Sequence, residues 1–509
     1  MKSSTERARR VVPIQAVTPG THPEAGRPPG DRERGASPGA VTQVESLYEV
    51  RRKIYPRAVT GWFAGWRWAL VILTQVIFYG LPWLQWHERQ AVLFDLVARK
   101  FYIFGLVLWP QDFVYLTALL VVSAIALFLF TAVAGRLWCG YACPQTVYTE
   151  LFLWIERLIE GDRMASMKLD AAPWSARKVR LKATKQAIWI ALSLWTGFTF
   201  VGYFTPIHDL VQATRTFDFG PWETFWIFFY GFATYGNAGF MREQVCKYMC
   251  PYARFQSVMF DNDTLVITYD RERGEPRGSR GRKVDAKAKG LGDCVDCNIC
   301  VQVCPTGIDI REGLQYECIG CAACIDGCDQ VMRKMGYPEG LIRYSTENAI
   351  RNHWGAKQIL ARVLRTRVLI YTALMAAVLV AAGVSLWLRV PLKMDVMRDR
   401  AAIARQIDDE HVENVYRLLI MNTDERAQRF TLSVEPSRHL AHLEIMADTP
   451  EKFFTIDPVS SRTIAVRVQA VPHDTEGSQP IEFVLKTVGG EGREVTLHEK
   501  SRFIVPKIR

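Results

Sequence analysis

Five stretches of the chain stay apolar for long enough to cross a bilayer as helices: about 66–84, 112–134, 186–205, 221–241 and 366–388. Residues 91–109 are also apolar, but Asp95, Arg99 and Lys100 lie in their middle, and charge is costly at the bilayer centre. That pattern predicts a re-entrant or interfacial helix ending at Pro110 and Asp112. From about 395 onward the pattern changes to short alternating runs at 416–421, 430–434, 463–468 and 481–484, separated by Pro, Asp, Gly and Ser. Such runs predict an antiparallel β-sandwich. Residues 1–45, rich in Pro, Gly, Arg and Ser, cannot bury enough apolar surface to fold and predict a disordered tail. They hold no apolar core of a signal peptide, so the first span is expected to stay uncleaved.

Charge orients the spans. Arg51, Arg52, Lys53 and Arg57 precede the first, and the loop after the second carries Arg136, Arg157, Arg163, Lys168, Arg177, Lys178, Arg180, Lys182 and Lys185. The loop between the third and fourth has only Arg215. The excess of positive charge on one side places the N-terminus, residues 135–185 and residues 242–365 in the cytoplasm and the C-terminal region outside. The net charge of +11 is explained by this topology, because the basic residues flank apolar spans instead of lining a nucleic-acid surface. Composition agrees: 49% hydrophobic residues suit a membrane protein, while a mean hydropathy of +0.01 leaves much of the chain in water.

All twelve cysteines fall into four short motifs. Cys294, Cys297, Cys300 and Cys304 precede Pro305, and Cys318, Cys321, Cys324 and Cys328 precede Asp329. Each run has two, two and three residues between its thiols, so that a loop offers three thiolates to one [4Fe-4S] cube and the next helix gives the fourth to the other. The pairing is therefore expected to cross, with Cys294, Cys297, Cys300 and Cys328 on one cube and Cys304, Cys318, Cys321 and Cys324 on the other. Zinc sites use pairs of cysteines, and disulfide frameworks need no such periodicity. The β-rich runs 265–269 and 341–344 flank the cysteines and are placed to pair. Between them the basic stretch 271–289 reads as a solvated loop.

The remaining motifs, Cys139-Gly-Tyr-Ala-Cys143-Pro144 and Cys246-Lys-Tyr-Met-Cys250-Pro251, each follow an apolar span on the cytoplasmic side, as two copies of one hairpin. An i, i+4 helical spacing puts two sulfurs on one face, close enough for a shared soft metal ion or, after distortion, a disulfide. The four thiols together suit Cu(I), a thiol redox step or a relay to the iron–sulfur domain. Met394 and Met397 beyond the last span, and His208, read more simply as packing and interfacial residues. No histidine pair suits heme, and no glycine-rich nucleotide loop is present in the sequence.

The expected fold is a multidomain membrane protein: an α-helical bundle of about five spans, an inserted two-cluster ferredoxin-like α+β domain and a C-terminal Ig-like β-sandwich. The expected boundaries are a tail at 1–45, four spans with both hairpin motifs at 46–258, the ferredoxin at 259–350, the fifth span at 351–392 and a periplasmic sandwich at 393–509. The chain resembles the cytochrome c oxidase accessory proteins called CcoG, FixG or RdxA, through Lys53-Ile-Tyr-Pro-Arg57, Pro110-Gln-Asp112, both hairpin motifs, both cysteine runs and the C-terminal region. The resemblance implies a bacterial inner-membrane Cu(II) reductase that supplies Cu(I) to cbb3-type oxidase during assembly. It further implies a copper-exporting ATPase and copper chaperones as partners, with Cys139, Cys143, Cys246 and Cys250 as the copper or thiol-redox site. The electron donor is open, homo-oligomers are compatible, and nucleic acid is not expected as a partner. Two other readings share these motifs: a quinol-linked electron-transfer subunit like NapH and NosR, and an assembly scaffold whose clusters sense redox state.

Overall fold

The computed structural model describes residues 53–506 apart from 283, 285, 391, 399–403, 408–410, 436–439, 448–452, 473–476 and 489–494, so the tail predicted at 1–45 lies outside the described residues. Among the described residues, three helices are long and apolar enough to cross a membrane: Trp62–Trp83, Pro110–Ala134 and Thr366–Trp387. The other two predicted spans do not meet that standard by themselves. Stretch 186–205 is the second half of the helix Ala176–Val201, whose first turns carry Arg177, Lys178, Arg180 and Lys182. Stretch 221–241 is α-helical only over Pro221–Thr234 and continues as a π-helix over Tyr235–Met241. These two helices touch backbone to backbone, since a Cβ added at Gly197 would lie 2.2 Å from the Ile227 carbonyl oxygen.

The helix expected within 91–109 is instead an antiparallel meander of strands Val92–Asp95, Lys100–Ile103 and Leu106–Leu108. Its charges sit at strand ends and turns, with Arg99 in the left-handed region at φ 55, and so avoid the cost that a membrane-embedded helix would impose. The meander leans on the C-terminal domain: Lys100 Nζ donates to the Val459 carbonyl at 2.8 Å, and Val107 and Trp109 pack against Met421.

That C-terminal domain has two antiparallel sheets. One orders its strands as Leu440–Ala447, Ser461–Pro472, Val412–Asn422 and Leu392–Arg398; the other as Phe454–Ile456, Gln428–Glu435, Gly477–Thr487 and Thr496–Val505. The predicted alternation is visible in the core, where Tyr416, Leu418, Ile420, Phe430, Val466 and Phe483 close the space between the sheets. Met394 and Met397 lie on the strand Leu392–Arg398, and their burial differs: Met394 is buried in the core and Met397 is exposed. They cannot converge on one ion, because residues three apart on a strand face opposite ways.

The cysteine-rich region lies at the other end of the first span. Strands Val266–Tyr269 and Ile342–Ser345 pair antiparallel, as the flanking β-rich runs predict. The basic stretch 271–289 is more than a solvated loop, because Arg273 pairs with Asp293 at 2.6 Å and Arg280 donates to the carbonyls of Gly292 and Cys294. The first span docks onto this domain through Asp326, whose carboxylate accepts the backbone N–H of Phe63 and Ala64 at 3.3 and 2.7 Å, the place a capping side chain would normally take.

Candidate iron-sulfur and thiol centre

The helix Ala323–Met335 carries Cys324 and Cys328 one turn apart, and the short helix Ile299–Gln302 carries Cys300. Gly327 lets the two helices meet, because an added Cβ there would lie 3.1 Å from Ile299. The loops before them curl through left-handed residues, Asp296 and Asn298 in the first and Gly320 and Ala322 in the second, so that successive thiols turn inward.

The structure brings the eight thiols together in two crossed groups. Burial pushes the Cys328 thiol up to about 12, with Cys300, Asp329, Cys297 and Cys294 pushing the same way. Burial likewise drives the Cys324 thiol well above its usual range, helped by Cys321, Cys318 and Cys304 and, less strongly, by Cys300. Cys304 also acts on Cys318 and Cys321. Such mutual repulsion fades with distance, so each last cysteine stands among the first three of the opposite run. Two sets of four thiols, all but Cys297 buried or half-buried, fit two [4Fe-4S] cubes, and iron would take the thiols as thiolates and relieve the repulsion.

The hairpin thiols also meet. The motif is not one continuous helix ended by its proline. Cys139 lies in Leu137–Tyr141, Cys143 is extended, and Pro144 starts a new helix, Pro144–Glu160. In the second copy Cys246 lies in a π-helix, Val245–Met249, and Pro251 starts Pro251–Met259 after an extended Cys250. A residue before proline is kept out of the helical region, and proline suits the first helical position, so the chain breaks at the second cysteine of each pair. Burial pushes Cys139 up to about 12, with Cys143 and Cys246 adding to it. Burial pushes Cys246 to about 11, with Cys143 and Cys250 adding. Gln145 joins the copies by donating to the carbonyls of Asn237 and Arg242 at 3.0 and 3.1 Å.

The two centres adjoin. A Cβ added at Gly140 would lie 2.8 Å from the Gly320 carbonyl carbon and 2.9 Å from the Cys321 Cα. Cys139 and Cys246 pack in one cluster with Cys321 and Cys324. A cavity of about 30 Å³, room for a single water, lies between Cys246 and Cys321 and is lined also by Arg67, Glu150 and Glu243.

Sequence reasoning missed Arg67 and Asp326. Arg67 is 8% exposed, and its Nε has no hydrogen-bond partner. Its guanidinium draws the Cys321 thiol down against the upward push of burial. A lone charge just inside the first apolar span was a signal available in the sequence. Asp326 gave none, because its role depends on a contact with a distant segment. His208 sits edge-on to Trp83 at 6.1 Å, away from both cysteine groups.

Two crossed groups of four thiols at the foot of apolar helices define a membrane iron–sulfur electron-transfer protein. Residues 241–347 match the 4Fe-4S dicluster domain, residues 116–161 a 4Fe-4S binding domain, and residues 382–506 the IG-like fold at the C-terminal of FixG. The chain is 42% identical to nitrogen fixation protein FixG of Rhizobium meliloti over 76% of its own length and 80% of the relative's. It is 41% identical to protein RdxA of Cereibacter sphaeroides over 78% and 85%, and 40% identical to protein RdxB of the same organism over 79% and 85%. The chain belongs to the FixG and RdxA family.

Proposed function

We propose that the chain is a bacterial inner-membrane electron-transfer protein that carries electrons from two [4Fe-4S] cubes to the hairpin thiols and there reduces Cu(II) to Cu(I) for the copper centre of a cbb3-type oxidase during its assembly. The ligands are Cys294, Cys297, Cys300 and Cys328 for one cube and Cys304, Cys318, Cys321 and Cys324 for the other. Cys139, Cys143, Cys246 and Cys250 form the exit, as copper ligands or as thiols that cycle. The observation that carries this reading is the backbone contact of Gly140 with Gly320 and Cys321, which sets the exit against one cube's ligand loop. The cubes supply one-electron steps, which match the single electron that cupric ion needs, and cuprous ion is soft enough for thiolate transfer.

The topology proposed is five spans, with the helices Ala176–Val201 and Pro221–Thr234 crossing beside the three apolar ones. The ferredoxin at 259–350 faces the cytoplasm and the sandwich at 393–509 the periplasm, as the Lys and Arg distribution supports. A copper-exporting ATPase and copper chaperones are the partners that family resemblance suggests.

The test is Cu(I) yield. Protein with reduced cubes, mixed anaerobically with Cu(II) and a Cu(I) chelator, is expected to give one Cu(I) for each electron stored, and Cys139→Ser with Cys246→Ser to abolish that yield. Equal yield from the variant removes copper from those residues. The alternative, a quinol-linked relay, is favoured by a 22% identity to ferredoxin-type protein NapH of Haemophilus influenzae over 43% of the chain. Rapid reduction of the cubes by a quinol analogue would support it.

A further inference from the structure

The hairpin thiols are not gathered as the ligands of a single ion are. A tetrahedral four-sulfur site with metal–sulfur bonds of about 2.3 Å holds its sulfurs roughly 3.8 Å apart. Among the described residues no three of the Cys139, Cys143, Cys246 and Cys250 sulfurs lie within 4.8 Å of one another; the one His, Cys, Asp and Glu group that does is Glu435, Glu482 and His498 on the sandwich. The eight ferredoxin cysteines form no such trio either. In a cluster, iron and sulfide stand between the thiolates and hold them further apart.

Three other features suit an anionic cluster here. Arg136, 5% exposed, directly precedes the helix that carries Cys139, donates through its guanidinium to the Ala253 carbonyl behind Cys250, and holds a positive charge between the two hairpins. The helices Pro144–Glu160 and Pro251–Met259 begin directly after Cys143 and Cys250, turning their positive ends to the thiols. The match of 116–161 to a 4Fe-4S binding domain covers only Cys139 and Cys143, half of the four thiolates a cube takes. The second hairpin supplies the missing half.

We infer that Cys139, Cys143, Cys246 and Cys250 together hold a third [4Fe-4S] cluster, two ligands from each hairpin copy, beside the cube on Cys304, Cys318, Cys321 and Cys324. These four thiols would hold it third in line beside the cube on Cys304, Cys318, Cys321 and Cys324, where it would supply a one-electron acceptor, each electron gained by it being lost by that cube with no bond made or broken. The inference rests on the electron-transfer reading for the cluster's place in the route, while its ligand set stands on the meeting of the two hairpins, the helices that begin at their thiols and the 4Fe-4S match of the first hairpin. Copper, where it is the acceptor, then takes its electron from this cluster as a substrate.

Iron and acid-labile sulfide, counted in the full chain purified anaerobically, test it. About twelve iron per chain are expected, falling to about eight in Cys139→Ser with Cys246→Ser while the electron paramagnetic resonance signals of both ferredoxin cubes persist. About eight iron in the unaltered chain, with no change on substitution, overturns the inference whether or not copper is bound or reduced. If the double variant does not accumulate, the count in the unaltered chain decides alone. A chain with twelve iron that fails to reduce Cu(II) would lose the acceptor reading and keep the cluster.

Discussion

Replacing Cys304 with serine is expected to remove the cube whose other ligands are Cys318, Cys321 and Cys324, and to leave the cube beside it intact. The reason is the crossing: the Cys304 thiol acts on Cys318, Cys321 and Cys324, while Cys328 stands with Cys300, Cys297 and Cys294. Losing one of four thiolates takes about four iron with it. Pairs of substitutions show which thiols share a cube. Cys304→Ser with Cys318→Ser should lose no more iron than Cys304→Ser alone, whereas Cys304→Ser with Cys294→Ser should lose about eight. If each run held its own cube, those two results would be exchanged.

Asp112→Ala is expected to cost about 3 kcal/mol, loosening the sandwich from the spans. The Asp112 carboxylate is 6% exposed and joins three segments: it accepts from the Trp109 N–H at 3.0 Å, from Arg389 Nη2 at 2.6 Å at the end of the last span, and from Lys393 on the first sandwich strand. Removing it leaves two cations facing each other where water reaches poorly, and Lys393, the more exposed, recovers part of the loss by hydration. The expected signs are a lower unfolding temperature in detergent and early tryptic cleavage after Arg389. Asp112→Ala with Arg389→Ala should be less destabilised than the sum of the two single changes, because one of the two stranded cations is then gone. A single variant as stable as the parent would mean that the junction is held by its other contacts, among them Lys100 on the Val459 carbonyl and the packing of Val107 and Trp109 on Met421.

What could be read from the sequence was local chemistry and long periodicity. The cysteine runs carried the iron–sulfur chemistry, because two runs of four thiols at this spacing suit [4Fe-4S] cubes and little else. Alternation in 416–421 and 481–484 predicted sandwich strands, and three of the apolar stretches were long enough to stand alone as span helices. Residues 91–109 misled because apolar content there is high while the first turn uses Arg99 in a left-handed conformation with no glycine or proline to mark it, and the second carries the single Gly105 after a left-handed Phe104. The 186–205 and 221–241 stretches showed apolar content without the charged turns and π-helix that adjoin or interrupt it. Asp326 capping the first span and Gly140 against Cys321 both join segments far apart in the chain, and no local pattern announces either.

The central claim is that electrons leave the ferredoxin cubes by way of the hairpin thiols. Reoxidation of the reduced cubes by Cu(II), followed by visible absorbance in a single turnover, tests it most directly when the parent chain is compared with Cys139→Ser plus Cys246→Ser, both carrying their full complement of ferredoxin iron. The account predicts fast reoxidation in the parent and a fall to the background rate in the variant. Equal rates in the two would contradict it.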